Sequence, residues 1–483
     1  MFKNLSQHFG QDGLAPTDKA HRSLGLGGTI ALWLGANVVV TTILTGMLLV
    51  PDLKFTQAML IVLIGSGIGI LPLVLVGLMG QRSGLTTMVL ARGSYGSRGA
   101  KLPSLVNLLT LLAWSWIQAL LAGMSLNYAV EHLTGYSNLP LFTILCETLV
   151  LLIALRGHLG IERVERWAAI GMLLLAGAVF YVMGQKFEFA SLLAMPTEPR
   201  NEITPGIAFD IVIATAFSWI PLAADYNRNC RSQGVATVGT WVGYVAATLL
   251  AMGLGATVSG FSVLTGMEQT YDPAVLLAGF GFGLPAAIVV FLSVMTTNVM
   301  CVYSASLSYL NISPKTPFWK PALAIGVLSI LGSQIPGILD NFQSFLLVIG
   351  SVFIPAFAVL IADYFLIHKG DYAVDELLSE DGGRYRYLNG FNPAAFVAYG
   401  LGAVLAYYWG WVSPLAWGAS LPGFLVTAAS YAVLRRWVLV PRAQLAERDD
   451  SRGGLHPPYP PYEPVGRVQP ANEASPCHEN RQP

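Results

Sequence analysis

The sequence predicts an all-α polytopic membrane protein with twelve transmembrane helices, and three observations carry that prediction. Hydrophobic residues make up 54% of the chain and charged residues 11%, against roughly a quarter charged in soluble domains. Apolar runs recur along its 483 residues, several of them reaching the ~20 residues that cross a bilayer. Lys and Arg gather in every second loop, as the positive-inside bias of membrane proteins requires.

The apolar stretches lie at about 26–50, 56–80, 103–130, 139–156, 163–184, 203–225, 235–262, 284–310, 321–337, 341–367, 392–411 and 414–438. Those near 139 and 321 are short. The first 22 residues are polar and lack the apolar core of a cleaved signal, so the first run reads as a true span. Arg82, Arg92, Arg98 and Lys101 follow the second span with no acid among them. Arg228 and Arg231 follow the sixth, and Lys315 and Lys320 the eighth. Of 27 basic residues only Lys54, Lys186 and Arg200 fall in the alternate loops. An odd number of spans would destroy that asymmetry, so both termini are expected in the cytoplasm of a multi-pass cell-membrane protein. The stretch "FSVLTGMEQTYDPAVLLAGFGF" before span eight is a candidate short surface or re-entrant helix.

Composition also excludes whole classes. A net charge of zero leaves no basic stripe for nucleic acid. Cys146, Cys230, Cys301 and Cys477 show no CxxC spacing, so neither a zinc site nor a disulfide framework is expected. No HExxH or GxSxG constellation occurs, and every histidine lies outside the spans; a membrane enzyme finds no catalytic grouping here. Beyond Pro441 the chain turns Pro-rich, as in "HPPYPPYEPVGRVQP", and buries too little apolar surface to offset chain entropy. A solvated tail is expected over 441–483, with partner binding by its PPYPPY run as the alternative.

Two spans carry helix breakers. In span one, Gly35 and Asn37 precede Val38, Val39, Val40, Thr41 and Thr42, a β-branched run that loses rotamer freedom in a helix. Span six contains "AFSWIPLAADYNRN", where Pro221 removes a backbone donor and crowds the preceding turn. Interrupted helices at matching positions of two halves point to a transporter site between inverted repeats. Taken singly, either is an ordinary kink.

Two further faces are chemically informative. In span eight Ser293, Thr296 and Thr297 stand at i, i+3 and i+4 and share one face. Beside freed carbonyls they would make an all-oxygen cage for a small hard cation; the alternative is that they bond their own helix or a neighbour. In span three Trp114 and Gln118 are four residues apart. An indole face with an adjacent amide suits a flat polar heterocycle, and a core tryptophan with an interhelical amide is the competing reading. Glu147 and Asp210 are acids within spans, which are functional suspects by their cost of burial.

The runs "GLTTMVLARGSYGSRGAKLPSL" (84–105), "SWIPLAADYNR" (218–228), "TTNVMCVYSASLS" (296–308) and "IPAFAVLIADYFL" (354–366) together resemble the nucleobase–cation symporter family 1, which includes cytosine, purine, hydantoin and allantoin permeases. The resemblance implies a LeuT-type fold: a first inverted repeat over 25–184, a second over 185–370, and two C-terminal helices within 371–440, after a cytoplasmic segment 1–24. It implies cation symport of a nucleobase-like heterocycle by alternating access, with sodium as coupling ion and no resident cofactor. Carbonyls of Gly35, Val38 and Ser293 with hydroxyls of Thr296 and Thr297 would hold the ion. Trp114, Gln118 and Asn37, with Ala216, Phe217, Ser218 and Trp219 at the second break, would hold the substrate. The second stacking aromatic of the family should stand at Ala216. Either Phe217 or Trp219 supplies that face, or the ring is held from one side. Ser293 stands where cytosine permeases have Asn, which tells against cytosine. The same scaffold running on protons, a passive facilitator and a substrate sensor are the alternatives.

Overall fold

The computed structural model describes residues 14–156, 158–186, 188–198, 200, 202–266, 283–379 and 383–438. Most of the candidate helix before span eight (267–282) and the tail beyond 438 lie outside the described residues.

Span one is two helices. Helices α1 (Leu26–Asn37) and α2 (Val40–Leu49) meet at 60°. The bend sits at Val38 (φ −82°, ψ 70°) and Val39 (φ −130°, ψ 164°), where the β-branched run begins. Losing the helix there frees last-turn carbonyls of α1. The second span is a long apolar stretch, α3 (Phe55–Gly69) running into α4 (Leu71–Ser83). A short buried helix, α5 (Thr87–Tyr95), connects it to α6 (Lys101–Thr134). Helices α7 (Leu139–Ala154), α8 (His158–Lys186) and α9 (Phe189–Ala194) follow.

Span six is interrupted more gently than span one. Helices α10 (Pro205–Ser218) and α11 (Ile220–Asn227) are separated by Trp219 alone (φ −90°, ψ −14°), and together they make one 23-residue span. Pro221 falls in the first turn of α11, where a missing N–H costs least. Ser218 Oγ donates to the Thr215 carbonyl at 2.7 Å and supports the turn from below. Then come α12 (Thr240–Leu264), α13 (Gly283–Ile312), α14 (Trp319–Gly332), α15 (Phe342–Ala362), α16 (Val374–Leu378), α17 (Pro393–Tyr407) and α18 (Ser420–Val433).

Seven described helices are long and apolar enough to cross a membrane, or eight if the bent pair α1/α2 is one span; α7, α14 and part of α8 are shorter apolar helices. Helices α6 and α13 pack along most of their length, and α2 lies against α12.

The acids at helix ends are structural ties. Asp225, at the end of span six, accepts from the Thr87 amide at 2.9 Å and from Ser304 Oγ at 2.9 Å. Thr87 Oγ1 accepts in return from the Ala224 amide at 3.1 Å. Asp363, after α15, accepts from the hydroxyls of Tyr372 and Tyr431. In the loop beyond, Arg384 bonds Glu376 and holds that carboxyl below its ordinary range. Asp210, a suspect on cost of burial, instead caps α18: its oxygens accept from the Ala419 and Ser420 amides at 2.6 and 2.8 Å. A carboxylate there meets orphan amides and the positive helix end together. Asp210→Ala should therefore lower stability by about 1–2 kcal/mol while leaving ligand affinity unchanged, read by thermal unfolding and ligand titration side by side.

Candidate functional site

The two interrupted spans, α6 and α13 line one cavity. Trp114 and Gln118 reach it from α6, Ser218 and Trp219 from the span-six break, and Thr297 from α13. Thr41, Thr42 and Thr45 of α2 and Thr215 of α10 complete its polar wall. No charged side chain is among its lining residues.

The aromatic residues are held by edge contacts. Trp114 meets Phe345 at 5.1 Å between ring centroids and 69°, and Phe342 at 6.1 Å and 77°. Trp219 meets Trp33 at 6.3 Å and 85°, and Trp33 is fixed by its Nε1 donating to Asn227 Oδ1 at 2.9 Å. Edge-to-face contacts of this kind help hold the rings in place. Gln118 is buried; its Nε2 donates to Cys301 Sγ at 3.2 Å, and its Oε1 has no partner among the described residues.

Three expected substrate residues lie elsewhere. Asn37 is fully buried behind the break, where Nδ2 donates to Thr248 Oγ1 at 2.7 Å and Oδ1 accepts from Thr42 Oγ1 at 3.1 Å. Ala216 is buried in helix packing away from the cavity. Phe217 packs edge-on against Phe424 of α18 at 6.1 Å, so it faces the C-terminal helices. Trp219 is the aromatic residue of this break that lines the cavity.

The oxygen-rich set also converges. Ser293 Oγ donates to the Val38 carbonyl at 3.1 Å, joining α13 to the break of span one. Thr296 and Thr297 donate to the Ser293 carbonyl at 2.9 and 3.1 Å. Gly35 is buried one turn before Val38. Both readings of this face are thus compatible: Thr296 and Thr297 bond their own helix, Ser293 bonds a neighbour, and each hydroxyl still offers lone pairs. Oxygen donors alone suit a hard monovalent cation, with no thiolate or imidazole among them. Ser293 lies at this junction and outside the cavity lining.

Glu147 sits behind both groupings. It is fully buried on α7 and accepts from Ser115 Oγ at 3.2 Å and from Asn298 Nδ2. Ser115 follows Trp114 in the chain and Asn298 follows Thr297, so one carboxyl braces the backbone beside each. The threonines of α2 were legible only as helix breakers, yet Thr41 and Thr45 are spaced i, i+4. That spacing, read as a face, was the signal for them.

A family profile described as "Permease for cytosine/purines, uracil, thiamine, allantoin" matches residues 16–434. The allantoin permease of Bacillus subtilis (strain 168) is 27% identical over 83% of this chain and 87% of its own. The purine-uracil permease NCS1 of Arabidopsis thaliana is 28% identical over 80% of this chain and 69% of its own. In structure, Mhp1, a nucleobase-cation-symport-1 family transporter in a closed conformation with bromovinylhydantoin bound, superposes with a TM-score of 0.78 at 20% identity, over 91% of this chain and 99% of that one. The profile spans nearly every described helix, and the chain belongs to this family of multi-pass membrane permeases, which are transporters and not enzymes.

Proposed function

We propose that the protein imports a nucleobase or related nitrogen heterocycle by cation symport, with sodium as the coupling ion. The observation that carries this reading is one cavity at two helix breaks that gathers Trp114, Gln118 and Trp219 and reaches Thr297 of the oxygen-rich set. The relatives named above handle small heterocycles, which supports the substrate class. In this reading the core is two inverted repeats of five spans followed by two C-terminal helices, twelve in all, with both termini cytoplasmic. Trp114 and Trp219 give the ring its stacking faces, and Gln118 bonds its edge. The carbonyls of Gly35, Val38 and Ser293 and the hydroxyls of Thr296 and Thr297 coordinate the ion.

Because the same residue, Thr297, belongs to both groupings, ion and substrate stabilise a common closed arrangement. Coupling of that kind is reciprocal: sodium must raise substrate affinity by the factor by which substrate raises sodium affinity. The test is ligand binding and uptake in proteoliposomes with sodium or choline outside, across purines, pyrimidines, hydantoins and allantoin. Sodium-stimulated uptake of one class supports the reading; uptake that runs equally in choline removes sodium from it. Thr297→Val keeps the side-chain shape and removes a ligand oxygen. It should weaken apparent sodium affinity by about tenfold, or ~1.4 kcal/mol, read from the sodium dependence of ligand binding.

Coupling to protons in the same scaffold is the second reading, favoured by Glu147, a buried carboxyl whose described partners Ser115 and Asn298 are both neutral. Uptake driven by an imposed pH gradient in sodium-free buffer, and lost in Glu147→Gln, would select it.

A further inference from the structure

The polarity of the cavity wall is set by where its hydroxyl hydrogens go. A backbone carbonyl can only accept, so a hydroxyl within bonding distance of one must donate to it. Thr45 Oγ1 donates to the Thr41 carbonyl at 2.8 Å, and Thr215 Oγ1 to the Ile211 carbonyl at 2.8 Å. Ser218 and Thr297 donate to the carbonyls of Thr215 and Ser293.

Thr42 is fixed by a longer relay. Thr248 Oγ1 donates to the Tyr244 carbonyl at 2.9 Å, so it must accept from Asn37 Nδ2. That orients the Asn37 amide with Oδ1 toward Thr42, whose hydroxyl therefore donates to it. Five hydroxyls at the cavity have thus spent their hydrogens inward and present lone pairs. The Gln118 Oε1 adds a sixth acceptor. Against these stand fewer donors: the Thr41 hydroxyl, the second N–H of the Gln118 amide and the indole N–H groups of Trp114 and Trp219.

We propose that this acceptor-rich, uncharged wall makes the protein selective for neutral rings rich in N–H, so that an amino-substituted heterocycle binds in preference to its oxo counterpart. The proposal rests on the heterocycle reading above and adds the sense of its selectivity. An exocyclic amine offers two hydrogens to hydroxyl lone pairs. A carbonyl at the same position offers none and sets its own lone pairs against those of the wall, leaving polar atoms unpaired in a buried site. Discrimination through unpaired groups of this kind is steep compared with discrimination by a methylene.

Adenine against hypoxanthine and cytosine against uracil are pairs that differ in this exchange; the oxo member also gains one ring N–H beside its carbonyl, so the amino member offers one hydrogen more in total. Binding of all four to the purified full-length protein in sodium buffer should favour the amino member of each pair by at least about fivefold. The preference should shrink toward unity in Thr215→Val and in Thr45→Val, which each delete one acceptor and keep side-chain shape. Two variants on different helices guard against one failing to fold. A residue that served packing alone would weaken both members of a pair equally. Tighter or equal binding of the oxo rings overturns the proposal, as does a preference unchanged in both valine variants. Binding of hydantoin or allantoin with all four rings rejected also overturns it while leaving the heterocycle reading intact. Rejection of the entire panel, with and without sodium, removes that reading and the proposal together.

Discussion

Gly255→Val should prevent the protein from folding to a stable form. A β-carbon at position 255 of α12 would lie 1.9 Å from the Ile43 carbonyl oxygen and 2.9 Å from the Met47 amide, both backbone atoms of α2. From the other side, a β-carbon at Gly46 would lie 2.1 Å from the Met252 carbonyl oxygen. The two backbones are in contact at these glycines, as small residues allow in membrane helix pairs. No side-chain rotation relieves a clash with backbone, so α2 would have to move away from α12 as a unit. Overpacking a well-fitted contact costs typically 1–3 kcal/mol; with both obstacles rigid, about 3 kcal/mol or more is expected here. Gly67→Ala, where a β-carbon meets nothing within 4 Å, is the control. The measurement is monodisperse yield in detergent and the thermal midpoint of what survives. A Gly255→Val protein as stable as the control would mean that α2 is not seated against α12 as described. The consequence is functional as well, because α2 carries Thr41, Thr42 and Thr45 to the cavity. Displacing it would remove one wall.

How much of this was legible in the sequence depends on the range of the interaction involved. The break at Val38–Val39 follows from residues adjacent in the chain, and the β-branched run foretold it. Ser293, Thr296 and Thr297 share a face by helical spacing alone, and the Val38 carbonyl does meet Ser293. Trp114 and Gln118 likewise reach the cavity together, as their four-residue spacing required. What could not be read was the direction of each face. A buried acid such as Asp210 looks functional until its partners appear, and those lie 209 and 210 residues later in the chain. Asn37 sits at the break as expected, but Thr248, 211 residues on, claims its amide. The threonines of α2 carry two meanings at once, weak helix formers and cavity wall, and only the position of α6 decides between them.

The choice among Ala216, Phe217 and Trp219 shows the same limit most sharply, and it leads to the second large effect. Successive helical residues turn by about 100°, so 217 and 219 point in nearly opposite directions. The turn at Trp219 sends its indole to the cavity and leaves Phe217 against Phe424. Trp219→Ala should therefore lower heterocycle affinity by about 2 kcal/mol, on the order of thirtyfold, the scale of base–aromatic stacking. Trp219→Phe should restore part of it, since a smaller aromatic face still fills the position. Phe217→Ala should do the reverse: about 3 kcal/mol of packing lost against α18, with affinity of the folded fraction unchanged. Titrating one bound ring into all three variants, alongside their melting curves, separates affinity from stability. If Phe217→Ala were the variant that lost binding, the turn at Trp219 would be wound the other way, and Phe217 would be the aromatic face of the site.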